Sequence, residues 1–593
     1  MASDIWPGLQ AWNPALVSIG GRLVHRLSPL HQRTCTVRCG RDSLRREPNV
    51  WRVRNTDDGR RAGGTRAIIA RASSRRMMDE SDSRALFRSS FANLLGRACD
   101  EFGDRIALVH GREQTSFADL KRRAGQIAQA LRDIGIGPGD VCAVLAKGPR
   151  DAVGAFFGSM GAGATGINLN ELYRPRQIEF VLTHSRARSL VVSREMLDSL
   201  PRPLVTSAQI IVLEDVVNSD SEFSPLASDP DAPAQITYTS GSTGQPKGVL
   251  MSHANLWAGV RVVASYLGLR RDDRIAGLLP FSFVYGFNQL TTALFVGGTL
   301  VVERSTLAQD IVATLRRERV TVLAAVPPLW QQLLGIAAFR DHPLDHLRIV
   351  TNAGGRLPPS SVRDLRRAQP QAKLYLMYGL TEVFRSTYLT PDEVDSHPDS
   401  MGRAIPESAV YVLNDEGQLA KPGEVGELLH GGPSVAIGYV GDPEETAKVF
   451  RHNPFFRPGE PSRVVFSGDL VRCDEEGRLY YVGRRDRMIK TLGFRVSPDE
   501  ICDVIQASGL VADAAVVTEP DSQRGERIVA CIVLGPNASL DQVRRFCGIE
   551  LPRYMQPARY ACLTAIPRNA SGKHDLPKLN ALMAGDPSPI VGD

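Results

Sequence analysis

Residues 237–248 read Thr-Tyr-Thr-Ser-Gly-Ser-Thr-Gly-Gln-Pro-Lys-Gly, hydroxyl and glycine residues closed by one lysine between two apolar, strand-like stretches. Glycines at 241, 244 and 248 allow positive φ and close backbone approach, so successive N–H groups can converge on an anion beside Ser240, Ser242, Thr243 and the Lys247 ammonium. The chemistry this suits is phosphate binding. It is not the usual nucleotide P-loop, which needs Gly-Lys-Ser/Thr opening a helix, because Lys247 is followed by Gly248 and a strand. Taken alone, a polar hairpin turn accounts for the same residues.

Four further segments follow in order: Tyr378-Gly379-Leu380-Thr381-Glu382, Ser467-Gly468-Asp469, Gly483-Arg484-Arg485-Asp486 with Lys490 and Gly493, and Pro567-Arg568-Asn569-Ala570-Ser571-Gly572-Lys573. With the 237–248 run they resemble, in kind and order, the AMP-forming acyl-activating enzymes: acyl-CoA synthetases, peptide-synthetase adenylation domains and luciferases. The resemblance implies that a carboxylate is joined to ATP with release of pyrophosphate, and that a thiol or amine then attacks the acyl-adenylate. Two anions must meet, so the site has to supply positive charge and N–H donors. Thr239, Ser240, Gly241, Ser242, Thr243, Gly244 and Lys247 would hold the β- and γ-phosphates, with Mg2+ bridging them and Glu382 as its protein ligand. Tyr378 would stack on adenine beside Gly379, and Thr381 would donate to the α-phosphate. Gly354 and Gly355, after a strand at 347–351, would let backbone approach the purine. Asp469 would accept both ribose hydroxyls, supported by Arg484. Lys573 would bridge carboxylate and α-phosphate in the first half-reaction. Lys490, near Gly493 on the other face of the lid, would serve the second, with Asp486 at the hinge. Taken singly, each has a plainer reading: Glu382 an exposed helix residue, Asp469 a turn aspartate, Gly354 and Gly355 a strand exit, Lys573 a surface lysine.

The segment 279–286 resembles the family's acyl pocket, with Phe283, Tyr285, Gly286 and Asn352 facing the acid. Where amino-acid-activating relatives carry an aspartate for the substrate ammonium, this chain has Val284; a buried ammonium there would be unpaired, which disfavours an α-amino acid. Phe283 stands where many CoA-ligase relatives have histidine, and core packing alone would explain an aromatic there. The favoured product is a CoA thioester, with CoA as co-substrate. Transfer to a carrier-protein phosphopantetheine in trans comes second and amide formation third. A catalytically inactive adenylate-binding scaffold is the reading of another class.

Helices and short apolar strands in alternation must position these groups. Helices are expected over 85–102, 117–134 and 307–318, and strands over 106–110, 141–145, 298–303, 320–326 and 347–351, which is βαβ logic. After residue 487 the segments shorten: a helix from about Pro498, strands at 514–518 and 528–534, a helix over 540–549 and a last strand before Pro567. The fold expected is α/β: a large N-terminal domain (79–485) of parallel-rich sheets packed by helices, and a small mobile α+β C-terminal lid domain (486–593).

Residues 1–78 carry fifteen arginines and no lysine against five acids, an excess of ten positive charges in a chain whose net charge is +6. The extension is expected to be disordered, or to lie upstream of a true start at Met77 or Met78. The remaining chain is net acidic, which gives no case for nucleic-acid binding. No apolar run reaches the ~18 residues that span a bilayer, so no integral membrane segment is expected. The nine cysteines are scattered, which fits reduced thiols in the cytoplasm, and Cys35 and Cys39 lack a second pair at zinc spacing.

Overall fold

The computed structural model describes residues 86–585 apart from 174, 201–205, 218–221, 241–245, 488, 492–493, 522–524, 554 and 570–571. The 1–78 extension therefore lies outside the described residues. The body is mixed α/β. Its nine-stranded sheet has six parallel strands at its centre, in the order Lys373–Tyr378, Ile349–Asn352, Val322–Ala325, Arg274–Gly277, Thr299–Val302 and Ile106–His110, with antiparallel strands at both edges. A seven-stranded sheet runs from Gly438–Tyr439 through the Pro246–Ser252 and Pro233–Ser240 hairpin to four parallel strands. Short, wholly apolar strands such as Val141–Leu145 are buried end to end, as parallel strands covered by helices on both faces must be. The shared core holds Phe91, Trp257 and Phe287, with Phe91 edge-on to Trp257 at 5.1 Å between ring centroids.

The strand at Ile106–His110, the helix at Phe117–Asp133 and the strands at Thr299–Val302 and Val322–Ala325 fall where the periodicity places them. Two features differ. The helix expected from residue 85 begins at Asn93, because the Phe91 N–H is donated across the fold to His253 Nδ1 at 3.0 Å instead of into a helical turn. A third, five-stranded antiparallel sheet, built from Ala409–Leu413, Val425–Gly431, Arg463–Cys473, Phe450–His452 and Leu479–Arg484, was not anticipated.

The C-terminal region has its own five-stranded sheet, with Gly525–Leu534 between Val511–Asp521 and Ile489–Thr491 and parallel to Arg559–Cys562. One face packs on the helices Pro498–Ala507 and Leu540–Glu550 and the other on Leu576–Gly585. It meets the body through an Arg356–Asp503 ion pair, which joins the turn after Gly355 to the Pro498–Ala507 helix, and through Ser497 Oγ, which donates to the Val482 carbonyl at 2.7 Å. Asp486 lies in the 3-10 turn Arg485–Arg487 that links the two. Among the described residues no helix is long and apolar enough to cross a membrane.

Candidate active site

The Pro233–Ser240 and Pro246–Ser252 strands form a hairpin in which Thr239 pairs with Lys247 and Ser240 with Pro246, so residues 241–245 close its tip. Gly241, Ser242, Thr243 and Gly244 lie outside the described residues. Directly after the hairpin Ser252 caps the His253–Leu267 helix, its Oγ accepting from Asn255 N at 3.1 Å while Ser252 N donates to Asn255 Oδ1 at 2.9 Å. The Lys247 ammonium rests on Glu445 Oε1 at 2.6 Å and 5.4 Å from the centroid of the Tyr439 ring. Tyr439 in turn donates its phenol to Glu382 Oε1 at 2.7 Å. Burial and the Glu382 carboxylate both push the Tyr439 phenol far above its ordinary pKa, so it stays a donor. Lys247, Tyr439 and Glu382 are thus brought together from three separate segments.

Glu382 sits in a 3-10 turn, Thr381–Val383, at the end of the Lys373–Tyr378 strand. Tyr378, the last residue of that strand, donates its hydroxyl to Asp469 Oδ2. Arg484 Nη1 reaches the other oxygen, Oδ1, at 3.0 Å and also donates to the Ser467 carbonyl at 2.9 Å. Ser467-Gly468-Asp469 lies inside the Arg463–Cys473 strand, where the pairing register with Val425–Gly431 shifts. Gly468 has φ +71°, and a Cβ there would lie 3.0 Å from the Arg484 guanidinium. Glycine is what the bulge requires, and the bulge aims Asp469.

Lys573 comes from the small domain. Its backbone is held by Asn569: Asn569 N donates to the Lys573 carbonyl at 2.8 Å and Lys573 N to Asn569 Oδ1 at 3.1 Å. Asp513 grips both flanks, accepting from Arg568 Nη2 at 2.5 Å and contacting His574 Nε2 at 3.0 Å. The ammonium reaches across to the body. Burial lowers its pKa below the usual lysine value, Asp469 opposes that shift, Arg487 and Arg484 add to it, and Glu382 again opposes it. Lys573 is nonetheless an exposed residue, so the lowering comes from a crowded, open cleft and not from a sealed core. Lys490 lies in the Ile489–Thr491 strand, while Gly493 falls outside the described residues.

On the acyl side Phe283 caps the Val284–Val296 helix. A Cβ on Gly286 would lie 2.2 Å from the Pro280 carbonyl oxygen, so this helix start can close on segment 279–280 only with glycine. The Tyr285 hydroxyl bonds Thr351 Oγ1 at 2.6 Å and its carbonyl at 3.0 Å. Asn352 Nδ2 donates to the Gly355 carbonyl at 3.0 Å, bracing the turn through Gly354, whose φ is +80°. Its Oδ1 is buried and carries no hydrogen bond. Tyr439, Glu445 and Arg385 were not found from the sequence. Glu445 lies 198 residues from Lys247, and no local pattern spans that distance. For Arg385 there was a signal, a single charge in the otherwise apolar or uncharged run 383–389.

Two mixed α/β layers, a small α+β domain and a cleft where both contribute charge define the architecture of an adenylate-forming enzyme. The family model for the AMP-binding enzyme matches residues 95–440, and that for the AMP-binding enzyme C-terminal domain matches 500–573; the chain belongs to the AMP-binding enzyme family. Tyrocidine synthase 3 of Brevibacillus parabrevis is 30% identical over 493 residues, covering 81% of this chain and 7% of that protein, so the chain spans a small part of that relative's length. The anthranilate CoA ligase AuaEII in complex with anthranoyl-AMP superimposes with a TM-score of 0.76 at 25% identity, over 85% of this chain and 100% of that one. The o-succinylbenzoate coenzyme A synthetase MenE from Bacillus subtilis, in complex with ATP and magnesium ion, gives 0.72 at 26% identity, over 82% and 99%.

Proposed function

We propose that this adenylate-forming enzyme activates a non-amino carboxylic acid and transfers the acyl group to the thiol of CoA. What carries the first step is Lys573, a small-domain lysine within charge range of Asp469 and Glu382 of the body. A cation delivered there can bridge the acid carboxylate and the α-phosphate while a carboxylate oxygen bonds to phosphorus and the bond to pyrophosphate breaks. The residues present fit the nucleotide and its metal. Each Asp469 oxygen accepts one bond and a carboxylate has about four lone-pair positions, leaving room for both ribose hydroxyls. Glu382 has its Oε1 oriented by Tyr439, and Mg2+ held there with phosphate oxygens would neutralise charge on the leaving pyrophosphate. Lys247 would exchange Glu445 for the β- and γ-phosphates, and Thr381 would donate to the α-phosphate.

CoA as acceptor is supported by the likeness to a CoA ligase and a coenzyme A synthetase and by Val284, which offers no partner to a substrate ammonium. A carrier-protein phosphopantetheine is the second reading, favoured by the 30% identity to a peptide synthase. The test is multiple-turnover pyrophosphate release with ATP and Mg2+ across fatty, aryl and amino acids, with and without CoA. Acid-dependent release that CoA accelerates, and that falls about a hundredfold or more in Lys573→Ala, is expected. Release indifferent to CoA assigns the acceptor to a carrier or amine, and undiminished release in Lys573→Ala removes the mechanism.

A further inference from the structure

Arg385 is 3% exposed, yet its Nε and Nη2 are buried with no hydrogen-bond partner among the described residues. The protein treats another buried arginine differently. Arg123, 7% exposed, donates to Asp151 Oδ1 at 2.7 Å and to the Leu213 carbonyl at 2.7 Å. A buried charge left without acceptors is costly, and such sites persist when something else supplies the acceptor.

The backbone before Arg385 is strained in a way that fixes where the side chain goes. Phe384 has φ +64° and ψ −58°, and Arg385 N donates back to the Val383 carbonyl at 2.6 Å. That is a γ-turn of the rare, unfavourable hand, at a bulky residue. The Phe384 ring is seated where a Cβ on Gly259 would be, 2.6 Å away. Beyond the turn, the Arg385 guanidinium lies 4.8 Å over the Tyr285 ring, and Tyr285 is tied to Thr351 beside Asn352. Along the helix, Asn288 and Gln289 stand three and four residues after Tyr285, on its face. Both are buried, at 3% and 5% exposed, and Asn288 Nδ2 and both polar atoms of Gln289 lack partners.

We infer that Arg385 is a specificity-determining residue that binds a second carboxylate on the acid substrate, at the end away from the carboxylate that is activated. This rests on the acid-activating function proposed above and narrows its substrate to dicarboxylic acids. A carboxylate laid against the guanidinium would satisfy Nε and Nη2 together, the two parallel bonds this fork geometry favours. Asn288 and Gln289 would add neutral donors.

The experiment pairs succinate, glutarate, adipate and phthalate with their monomethyl esters, which keep one reactive carboxylate and lose the distal charge. Acid-dependent ATP–pyrophosphate exchange and thermal stabilisation in the presence of ATP are read for the wild type, Arg385→Met and Arg385→Lys. Expected is a wild-type preference of about ten- to hundredfold for at least one diacid over its ester, a ratio collapsing toward one in Arg385→Met and partly restored in Arg385→Lys. A wild type that uses esters as well as diacids overturns the inference, and needs no folded variant to do so. So does an Arg385→Met enzyme in which diacid and ester fall equally, which would place the guanidinium on the reacting carboxylate. Diacid stabilisation that depends on Arg385 without any exchange would keep this inference while sinking the proposed reaction; exchange with monoacids indifferent to Arg385 would do the reverse.

Discussion

Lys573 can bridge two anions only while it carries its proton, so its activity belongs below its pKa and is lost as pH rises through it. Because burial lowers that pKa, the alkaline limb of the adenylation rate is expected below the range of an exposed lysine. Lys573→Arg should move that limb upward even if the rate itself is reduced. A single-turnover pH profile that stays level to the ordinary lysine range would refute this. A second residue-scale prediction concerns Tyr439, whose phenol orients Glu382. Tyr439→Phe removes one charge-assisted hydrogen bond, about 2 kcal/mol, and is expected to raise the Mg2+ concentration needed for half-maximal exchange several-fold. An unchanged Mg2+ titration would take Glu382 out of the metal role. The partners of these residues explain why the sequence revealed so little of them. Tyr439 and Glu382 are 57 residues apart, and a tyrosine on a two-residue strand carries no local mark of its contact.

At the scale of elements, the hairpin ending at Ser252 passes directly into a helix whose first residue, His253, does a separate structural task. Its Nδ1 accepts the Phe91 N–H, so protonation there removes the acceptor. Burial lowers its pKa to about 4, against the pull of Asp229. Between that value and the ordinary 6.5 the unfolded chain binds more protons than the folded one. The stabilisation is therefore complete above about pH 6.5 and is lost as pH falls toward 4, on the order of 3 kcal/mol at the acid end. His430, driven by burial to about 3, acts in the same direction. Melting temperature is expected to drop across this window, and His253→Gln, which keeps an acceptor, to flatten part of the drop. An equally steep curve in the variant would show that the dependence arises elsewhere. Most element positions were legible, since strands such as Ile106–His110 are apolar runs bounded by turn residues. The antiparallel sheet over 409–484 was not, because its strands alternate with polar residues and long connections that local pattern leaves ambiguous.

For the whole molecule the informative contact is the Arg356–Asp503 ion pair between the body and the small domain. It holds the arrangement that brings Lys573 toward Asp469 and Glu382. If the small domain turns to use its Lys490 face for thioester formation, this pair must part. Asp503→Ala is expected to slow adenylation several-fold while leaving the thioester step unchanged or faster, with Arg356→Asp/Asp503→Arg restoring the first rate. Rapid-quench measurement of the two half-reactions separates these outcomes, and equal slowing of both would argue for simple destabilisation. The sequence by itself determined what depends on neighbours along the chain: the hairpin that carries Lys247, the glycine at 468 that the bulge beside Asp469 requires, and the alternation that makes a parallel sheet. Only the tertiary structure decided which groups share a cleft, that Lys247 rests on Glu445, that Tyr378 and Arg484 divide the oxygens of Asp469, and that Arg385 is buried with its donors open. Backbone conformation follows local sterics and periodicity, whereas burial and charge pairing are set by segments hundreds of residues apart once the layers have packed.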